Sequence, residues 1–254
     1  MKKTLGCVRK ADTDFGLIEA GDRIAVGVSG GKDSLLLLHA LALYRKFSHK
    51  DFTLTAVTVT LGLEPFDLSP VQQLCDELEI SYVIRETQIG QIIFEWRKEK
   101  NPCALCAKMR RAALARLCQE LGCNKLALGH HREDALETLL MSTIYEGRFR
   151  TFHPKTLMSR TNITVIRPLV YLPEKHVLHM LRTLKLPVVT SPCPVNGETK
   201  REEMKNLLKE MNRRYPDFSD RLLHALQQDH YDLWQKENGE ISTLHPGDSC
   251  DIIG

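Results

Sequence analysis

The fold of this chain is decided by one stretch, Ala25-Val26-Gly27-Val28-Ser29-Gly30-Gly31-Lys32-Asp33-Ser34-Leu35-Leu36-Leu37-Leu38. The apolar run over residues 23–28 predicts a buried strand, and the pattern after the glycines predicts a helix with Asp33 and Ser34 at its capping end. Glycines in such a turn allow positive φ and a close approach to a ligand. The start of the helix offers unpaired N–H groups to an anion, and Lys32 adds a positive charge. The stretch therefore predicts a phosphate-binding loop.

The spacing S-G-G-K-D-S differs from the Walker loop and from the dinucleotide fingerprint. It resembles the pyrophosphate loop of the N-type ATP pyrophosphatases, and residues 29–34 are called the pyrophosphate loop from here on. The resemblance implies that this loop holds the leaving pyrophosphate of ATP while a substrate oxygen is adenylated. The residues that it assigns to ATP are Ser29, Gly30, Gly31, Lys32, Asp33 and Ser34. An ordinary glycine turn between a strand and a helix is the alternative.

Apolar strand patterns alternate with helical patterns along most of the chain. Strands are predicted at 23–28, 52–59, 81–84 and 125–128, and helices at 4–20, 34–44, 71–78, 102–121, 133–144, 174–184, 200–212 and 218–234. This alternation indicates an α/β fold with a doubly wound parallel sheet and right-handed crossovers, with the ligand at the carboxyl end of the sheet. Residues 86–101 have no clear pattern, and residues 148–166 indicate an irregular or β-containing excursion.

Four segments are predicted. They are an N-terminal helix (1–20), a pyrophosphatase domain with a Cys-x-x-Cys insertion (21–190), a helical C-terminal extension with a third cysteine (191–236) and a poorly ordered tail (237–254).

Composition excludes several classes of protein. Of the 254 residues 43% are hydrophobic and 26% charged, which is ordinary for a globular chain, and no apolar stretch is long enough for a bilayer. A net charge of +3 does not by itself predict binding to nucleic acid, so only local basic patches can indicate it. The basic N-terminus lacks the apolar core of a signal peptide, which favours a cytoplasmic address. In that compartment the eight cysteines indicate buried thiols, metal ligands or redox groups.

Two cysteines, Cys103 and Cys106, form a C-x-x-C at the predicted start of a helix, followed by Arg110 and Arg111. A helix N-terminus and nearby cations favour the thiolate, which is the form that binds metal. The pair alone fits half a zinc site, part of an iron–sulfur site or a dithiol redox pair. Cys193 lies between two prolines and fits either a third thiolate ligand or a lone buried thiol.

Together these motifs resemble the tRNA 2-thiocytidine synthetase (TtcA) family over roughly residues 5–230. The motifs that carry the resemblance lie at 29–34, 103–111, 129–138, 167–169 and 192–193. Two positions depart from the family pattern, because residues 194–196 lack its further cysteine and Glu133-Asp134 replaces a pair of aspartates.

The resemblance implies ATP-dependent thiolation of a tRNA base. Cys103, Cys106 and Cys193 would bind a 4Fe-4S cluster with one open iron, which delivers sulfur to a cytidine adenylated at its C2 oxygen. Lys32, Asp33 and Arg110 would be catalytic, with Lys32 and Mg²⁺ offsetting charge on the phosphates and Arg110 stabilising the adenylate or the incoming sulfide. The implied partners are tRNA, a cysteine-desulfurase-type sulfur donor and a second copy of the chain, with no membrane.

The segment Gly129-His130-His131 and nearby Asp134 follow the predicted fourth strand. Gly129 permits close approach of ATP, and Asp134 is expected to bind Mg²⁺ or the ribose-phosphate region. For the two histidines we favour caps of the strand, and a helix cap is the alternative for Asp134.

Two basic stripes indicate surfaces for RNA backbone or solvated helix faces. They consist of Lys108, Arg110, Arg111 and Arg116, and of Arg201, Lys205, Lys209 and Arg213.

Three other functions fit parts of the sequence. A lysidine-synthase-like enzyme shares the pyrophosphate loop but needs no set of three cysteines. A dithiol relay would pass a persulfide from Cys103 or Cys106 without a cluster. A non-catalytic nucleotide-binding iron–sulfur sensor would release no pyrophosphate, although the intact Lys32-Asp33-Ser34 argues against it.

Overall fold

The computed structural model describes residues 1–63, 67–97, 102–189 and 200–228. The strands in these ranges are β1 (Arg23–Gly27), β2 (Thr53–Val59), β3 (Ser81–Arg85), β4 (Lys125–Ala127), β5 (Lys155–Met158) and β6 (Ile163–Ile166). They form one sheet in the order β3-β2-β1-β4-β6-β5. All pairs are parallel except β5 with β6. The strand order runs outward in both directions from β1, so the predicted doubly wound parallel sheet is confirmed.

Helices connect the strands and cover both faces of the sheet. They are α1 (Lys2–Phe15), α2 (Lys32–Phe47), α3 (Ser69–Glu77), α4 (Ile89–Gln91), α5 (Pro102–Glu120), α6 (Arg132–Glu146), α7 (Glu174–Leu184), α8 (Lys200–Arg214) and α9 (Phe218–Gln228). Helices α8 and α9 pack against α6. None of the helices in the described ranges is long and apolar enough to span a membrane.

The central helix α2 is apolar on nearly all sides because it is buried between other elements. The side chains of its run Leu35-Leu36-Leu37-Leu38 are fully buried and belong to the largest hydrophobic cluster. A helix that is hydrophobic all round packs in the interior rather than at the surface. The pyrophosphate loop is therefore attached to a helix that is buried in the core.

The two regions without a clear sequence pattern contain short elements. In the first, α4 continues into a π-helical turn at Ile92–Trp96. In the second, β5 and β6 form an antiparallel hairpin at the edge of the sheet, with Lys155 opposite Ile166. Helix α1 ends at Gly16 in the left-handed region, earlier than predicted. The predicted domain boundary at 190/191 and the predicted tail lie outside the described residues, so both stay predictions.

Candidate nucleotide and thiol site

The pyrophosphate loop is closed by its own two serines. Gly30 has φ 80°, and Gly31 is the residue that precedes α2. The Ser29 N–H donates to Ser34 Oγ at 3.1 Å, and Ser34 Oγ donates to the Gly31 carbonyl at 2.9 Å. Asp33 and Ser34 were expected at the capping end, but α2 begins at Lys32 and no side chain caps its first N–H groups. Those N–H groups therefore stay available to an anion.

A cavity of about 290 Å³ opens beside this loop at the carboxyl ends of β1 and β4. One wall is the pyrophosphate loop, and the opposite wall is α5. The turn between β4 and α6 closes the third side. The predicted site residues that line the cavity are Ser29, Gly31, Asp33, Ser34, Arg110, Gly129 and Asp134. The volume falls just below the usual range for small-molecule pockets.

Gly129 permits a close approach of backbone to backbone. A Cβ built on Gly129 would lie 2.8 Å from the Asp33 carbonyl carbon and 3.0 Å from the Ser34 nitrogen. The sequence predicted that this glycine makes room for ATP. Gly129 lines the cavity, and its contact with ATP stays a prediction. The structure shows in addition that the missing side chain lets the end of β4 contact the start of α2, which brings Asp134 and the pyrophosphate loop to the same cavity.

His131 contacts two of the predicted site carboxylates from just outside the cavity lining. It is buried, precedes α6 and lies between two carboxylates, with Nε2 3.7 Å from Asp33 Oδ1 and 3.6 Å from Asp134 Oδ2. Burial disfavours the charged ring, but contact with Glu133 and the charges of Asp134 and Asp33 outweigh it and raise the pKa of His131. The Asp134 carboxylate also accepts a hydrogen bond from the backbone N–H of His131 at 2.8 Å. The expected helix cap by Asp134 is therefore present together with its place in the cavity wall.

Lys32 does not line the cavity. Its Nζ lies 2.8 Å from Asp33 Oδ1 and 3.2 Å from Glu174 Oε1 at the start of α7. Burial lowers its pKa, but these two carboxylates outweigh burial and raise it, so the ammonium stays charged. Lys205 on α8 holds the same Glu174 at 2.8 Å. The ammonium group of Lys32, which was predicted to bind phosphate, is thus held in an ion-pair network with Asp33, Glu174 and Lys205.

Helix α5 carries both cysteines of the C-x-x-C and the basic wall of the cavity. Cys103 is exposed and Cys106 is half-buried. Ala107 and Arg110, which line the cavity, each lie four residues after one of the cysteines, so each pair shares a face of the helix. With a rise of about 1.5 Å per residue, Cys106 and Arg110 are about 6 Å apart along the axis. The thiols therefore lie about one turn from the nucleotide cavity.

Two members of the second basic stripe, Arg201 and Lys205, form ion pairs with carboxylates of neighbouring helices. Arg201 Nε lies 3.3 Å from Glu137 Oε2, and Arg201 Nη2 lies 3.6 Å from Asp134 Oδ1. Lys205 pairs with Glu174 as described above. Arg201 and Lys205 therefore pair with carboxylates at and beside the site. The sequence had predicted either an RNA-binding surface or a solvated helix face for this stripe, and neither prediction included such ion pairs. Lys209 contacts Asn206 on its own helix at 3.4 Å.

Comparison with known proteins assigns the family. The family model for the PP-loop domain, ATP_bind_3, matches residues 8–211. The tRNA-cytidine(32) 2-sulfurtransferase of Geobacter sulfurreducens is 41% identical over 228 residues, which cover 89% of both chains. The protein of the same name from Pelobacter propionicus is 41% identical over 226 residues, covering 88% of this chain and 84% of that one.

The chain belongs to the tRNA-cytidine(32) 2-sulfurtransferase family.

A solved structure agrees with this assignment. The U34-tRNA thiolase NcsA from Methanococcus maripaludis, determined with its 4Fe-4S cluster, superposes with a TM-score of 0.74 at 28% identity. The match covers 88% of this chain and 76% of that one. The resemblance to the TtcA family that the motifs suggested is thereby confirmed over most of the chain.

The third cysteine that the family resemblance assigned, Cys193, lies outside the described residues. Among those residues no three His, Cys, Asp or Glu side chains group as a metal site. The chain is nevertheless anchored near it, because the Val189 N–H donates to the Gly30 carbonyl of the pyrophosphate loop at 3.0 Å. Cys75, Cys118 and Cys123, which carry no motif, are buried.

His130 gives a prediction for the pH dependence of stability. Burial, then the positive charge of Arg167, lowers the pKa of His130 to about 3, well below the 6.5 of an unfolded histidine. Between these values only the unfolded chain takes up the proton, so stability is full above pH 6.5 and falls as the pH decreases. We expect this group to remove about 2 kcal/mol of unfolding free energy at pH 5. Urea titrations at pH 7 and pH 5 measure it.

The matched variant is His130→Gln, which cannot titrate. Its loss of stability between pH 7 and pH 5 should be smaller than that of the wild type by about the same 2 kcal/mol. Parallel curves for the two proteins would show that His130 takes up its proton normally in the folded state.

Proposed function

We propose that this chain is an ATP-dependent tRNA sulfurtransferase. It would adenylate the C2 oxygen of a cytidine in tRNA and replace that oxygen with sulfur. One observation carries the proposal: α5 forms the wall of the nucleotide cavity with Arg110 and also carries Cys103 and Cys106 about one turn away. Activation and sulfur transfer can therefore occur on the same bound base. The names of the relatives support thiolation of a tRNA cytidine, and the name of NcsA supports tRNA thiolation more generally, since that enzyme acts at U34.

The activation step uses the pyrophosphate loop. The cytidine oxygen attacks the α-phosphorus of ATP, the bond to the bridging oxygen breaks, and pyrophosphate leaves. The N–H groups at the start of α2 would hold the departing phosphates, and the network of Lys32 would offset their charge. Asp33 and Asp134 flank His131 and line the cavity, which makes them the carboxylates that would bind Mg²⁺.

The cysteines fit the role of cluster ligands. Cys103 and Cys106 lie on consecutive turns of α5, and Cys103 is accessible. Cys193 lies outside the described residues, and the family resemblance makes it the proposed third ligand. A 4Fe-4S cluster on these three thiolates, with one iron not bound by protein, would supply the sulfur that replaces the oxygen. Arg110 would stabilise negative charge on the adenylate as AMP leaves.

The test uses full-length protein purified anaerobically, ATP, a sulfide source and tRNA transcripts. Two readouts are needed, pyrophosphate release with and without tRNA, and the nucleosides of the digested tRNA by mass spectrometry. We expect pyrophosphate release to depend on tRNA and 2-thiocytidine to appear. A lysine-modified cytidine would indicate a lysidine-synthase-like enzyme. The absence of tRNA-dependent pyrophosphate release would contradict catalysis and favour the sensor.

Four further assignments belong to this proposal. They are Mg²⁺ as the ion on the nucleotide, a cysteine-desulfurase-type protein as the sulfur donor, a homodimer and a cytoplasmic location. Pyrophosphate release after chelation tests the first, reconstitution with a desulfurase and cysteine tests the second, and light scattering tests the third.

A further inference from the structure

Arg167, just after β6, is a buried cation without a counter-charge among the described residues. It is 4% exposed. Its Nη1 donates to the His153 carbonyl and lies 3.4 Å from Thr156 Oγ1, and both acceptors are neutral. Its Nε has no hydrogen-bond partner among the described residues. Burying a charge is costly unless it is paired. An anion bound near Arg167 would therefore be stabilised by its uncompensated positive charge.

A second guanidinium, that of Arg111, acts on Arg167 electrostatically. Arg111 on α5 is exposed, lines the cavity and forms no ion pair within the described ranges. Burial, then the charge of Arg111, lowers the pKa of Arg167 to about 10, so both groups are positive at neutral pH. Two like charges that lack counter-ions repel each other. A bound anion would remove that repulsion and compensate both charges.

Two neutral rings connect the buried Arg167 guanidinium to the cavity, which His130 and Arg111 both line. The His130 ring stacks on Phe152 with centroids 5.0 Å apart, and the Arg167 guanidinium lies 4.8 Å from the centre of the same Phe152 ring. The two carboxylates that line the cavity already have cations, since Asp33 is paired with Lys32 and Asp134 with Arg201. Among the described residues neither forms an ion pair with Arg111.

We propose that Arg111, backed by the buried charge of Arg167, binds a phosphodiester group of the substrate RNA at the mouth of the cavity. The assignment rests on the proposed function, since it requires an RNA substrate. The phosphates of ATP have their own site across the cavity, at the pyrophosphate loop. Arg148 and Arg150 are exposed in the loop that leads to Phe152 and add positive charge to this part of the chain. A polyanion such as RNA matches charge that continues beyond the cavity, whereas a nucleotide does not.

Arg111→Gln tests the site because the side chain is exposed and its loss should leave the fold intact. Arg9→Gln is the matched control, since Arg9 is also exposed but lies on α1, outside the cavity and outside both basic stripes. Binding of unmodified tRNA is measured by anisotropy over a series of salt concentrations, and ATP binding is measured separately. We expect Arg111→Gln to weaken tRNA binding about 10-fold and to reduce the salt slope by about 1, which corresponds to one lost phosphate contact. ATP affinity should stay unchanged.

Three results would overturn the site. Equal losses in the two variants would show a general effect of net charge. Weaker ATP binding with unchanged tRNA binding would assign the anion to the nucleotide. Unchanged tRNA binding in Arg111→Gln, with tRNA-dependent pyrophosphate release in the wild type, would remove this site and leave the proposed function standing. A wild type that neither binds tRNA nor releases pyrophosphate with it would remove both.

Discussion

Replacing Cys103 with serine is expected to abolish tRNA thiolation and leave tRNA-dependent pyrophosphate release in place. Cys103 is exposed at the start of α5, so its substitution should change the unfolding free energy by less than about 0.5 kcal/mol. Loss of an outer partner of a metal ligand already costs about 10–100-fold, so loss of a ligand should cost more than about 100-fold in 2-thiocytidine formation. The adenylation step uses the pyrophosphate loop and needs no thiol.

Iron and acid-labile sulfide in anaerobically purified protein provide a readout that is independent of activity. We expect both to fall in Cys103→Ser, while thermal unfolding of the cluster-free forms of the two proteins stays similar. Cys7→Ser is the matched control, because Cys7 is a half-buried thiol on α1 whose Sγ contacts the Tyr171 carbonyl at 3.9 Å, away from α5. It should retain iron and thiolation. Thiolation at the wild-type rate by Cys103→Ser would contradict a ligand role and any relay through this thiol.

Gly129→Ala is expected to damage both stability and activation. The new methyl group would meet the backbone of Asp33 and Ser34 at 2.8–3.0 Å, and backbone cannot rotate away as a side chain does. Overpacking of this kind costs about 1–3 kcal/mol of unfolding free energy. If α2 moves away to relieve it, the pyrophosphate loop moves too. A shift of about 1 Å at a catalytic group can cost about 100-fold in rate.

The control for this variant is Gly6→Ala in α1. A Cβ at Gly6 meets nothing within 4 Å, and its φ is not positive. Alanine there should raise the unfolding free energy by about 0.5–1 kcal/mol, because glycine is the poorer helix former. Urea titrations and tRNA-dependent pyrophosphate release are measured for both variants. Wild-type stability and rate in Gly129→Ala would show that the contact between β4 and α2 tolerates expansion.

Features encoded by neighbouring residues were predictable from the sequence. The strand, the glycine turn and the helix around the pyrophosphate loop follow from local hydrophobic pattern and backbone freedom, and the alternation of elements gave the parallel sheet. Helix α7 has the predicted bounds, Glu174–Leu184. For residues 148–166 the sequence predicted only an irregular or β-containing segment, because the two strands of the β5–β6 hairpin have only four residues each.

Features that join distant parts of the chain could not be predicted in this way. His131 was expected to cap a strand, and its contact with Asp33 depends on how β4 meets α2. The ion pair of Lys32 with Glu174 joins residues more than 100 positions apart. Arg201 and Lys205 have the spacing of a solvated or RNA-binding face, and only the packing of α8 on α6 turns them toward site carboxylates. The hydrophobic and charge patterns of a sequence predict one helix or strand at a time, whereas these contacts form between different helices and strands.

Helix α5 has an evolutionary consequence. The thiols and the arginines lie on one continuous helix. The angle between them around the helix axis therefore depends on the number of residues that separate them. Point substitutions can change either chemistry separately. A single inserted or deleted residue between Cys106 and Arg110 would instead rotate one set by about 100° away from the other. Descendants of this chain should therefore vary freely in the composition of that segment and hardly at all in its length.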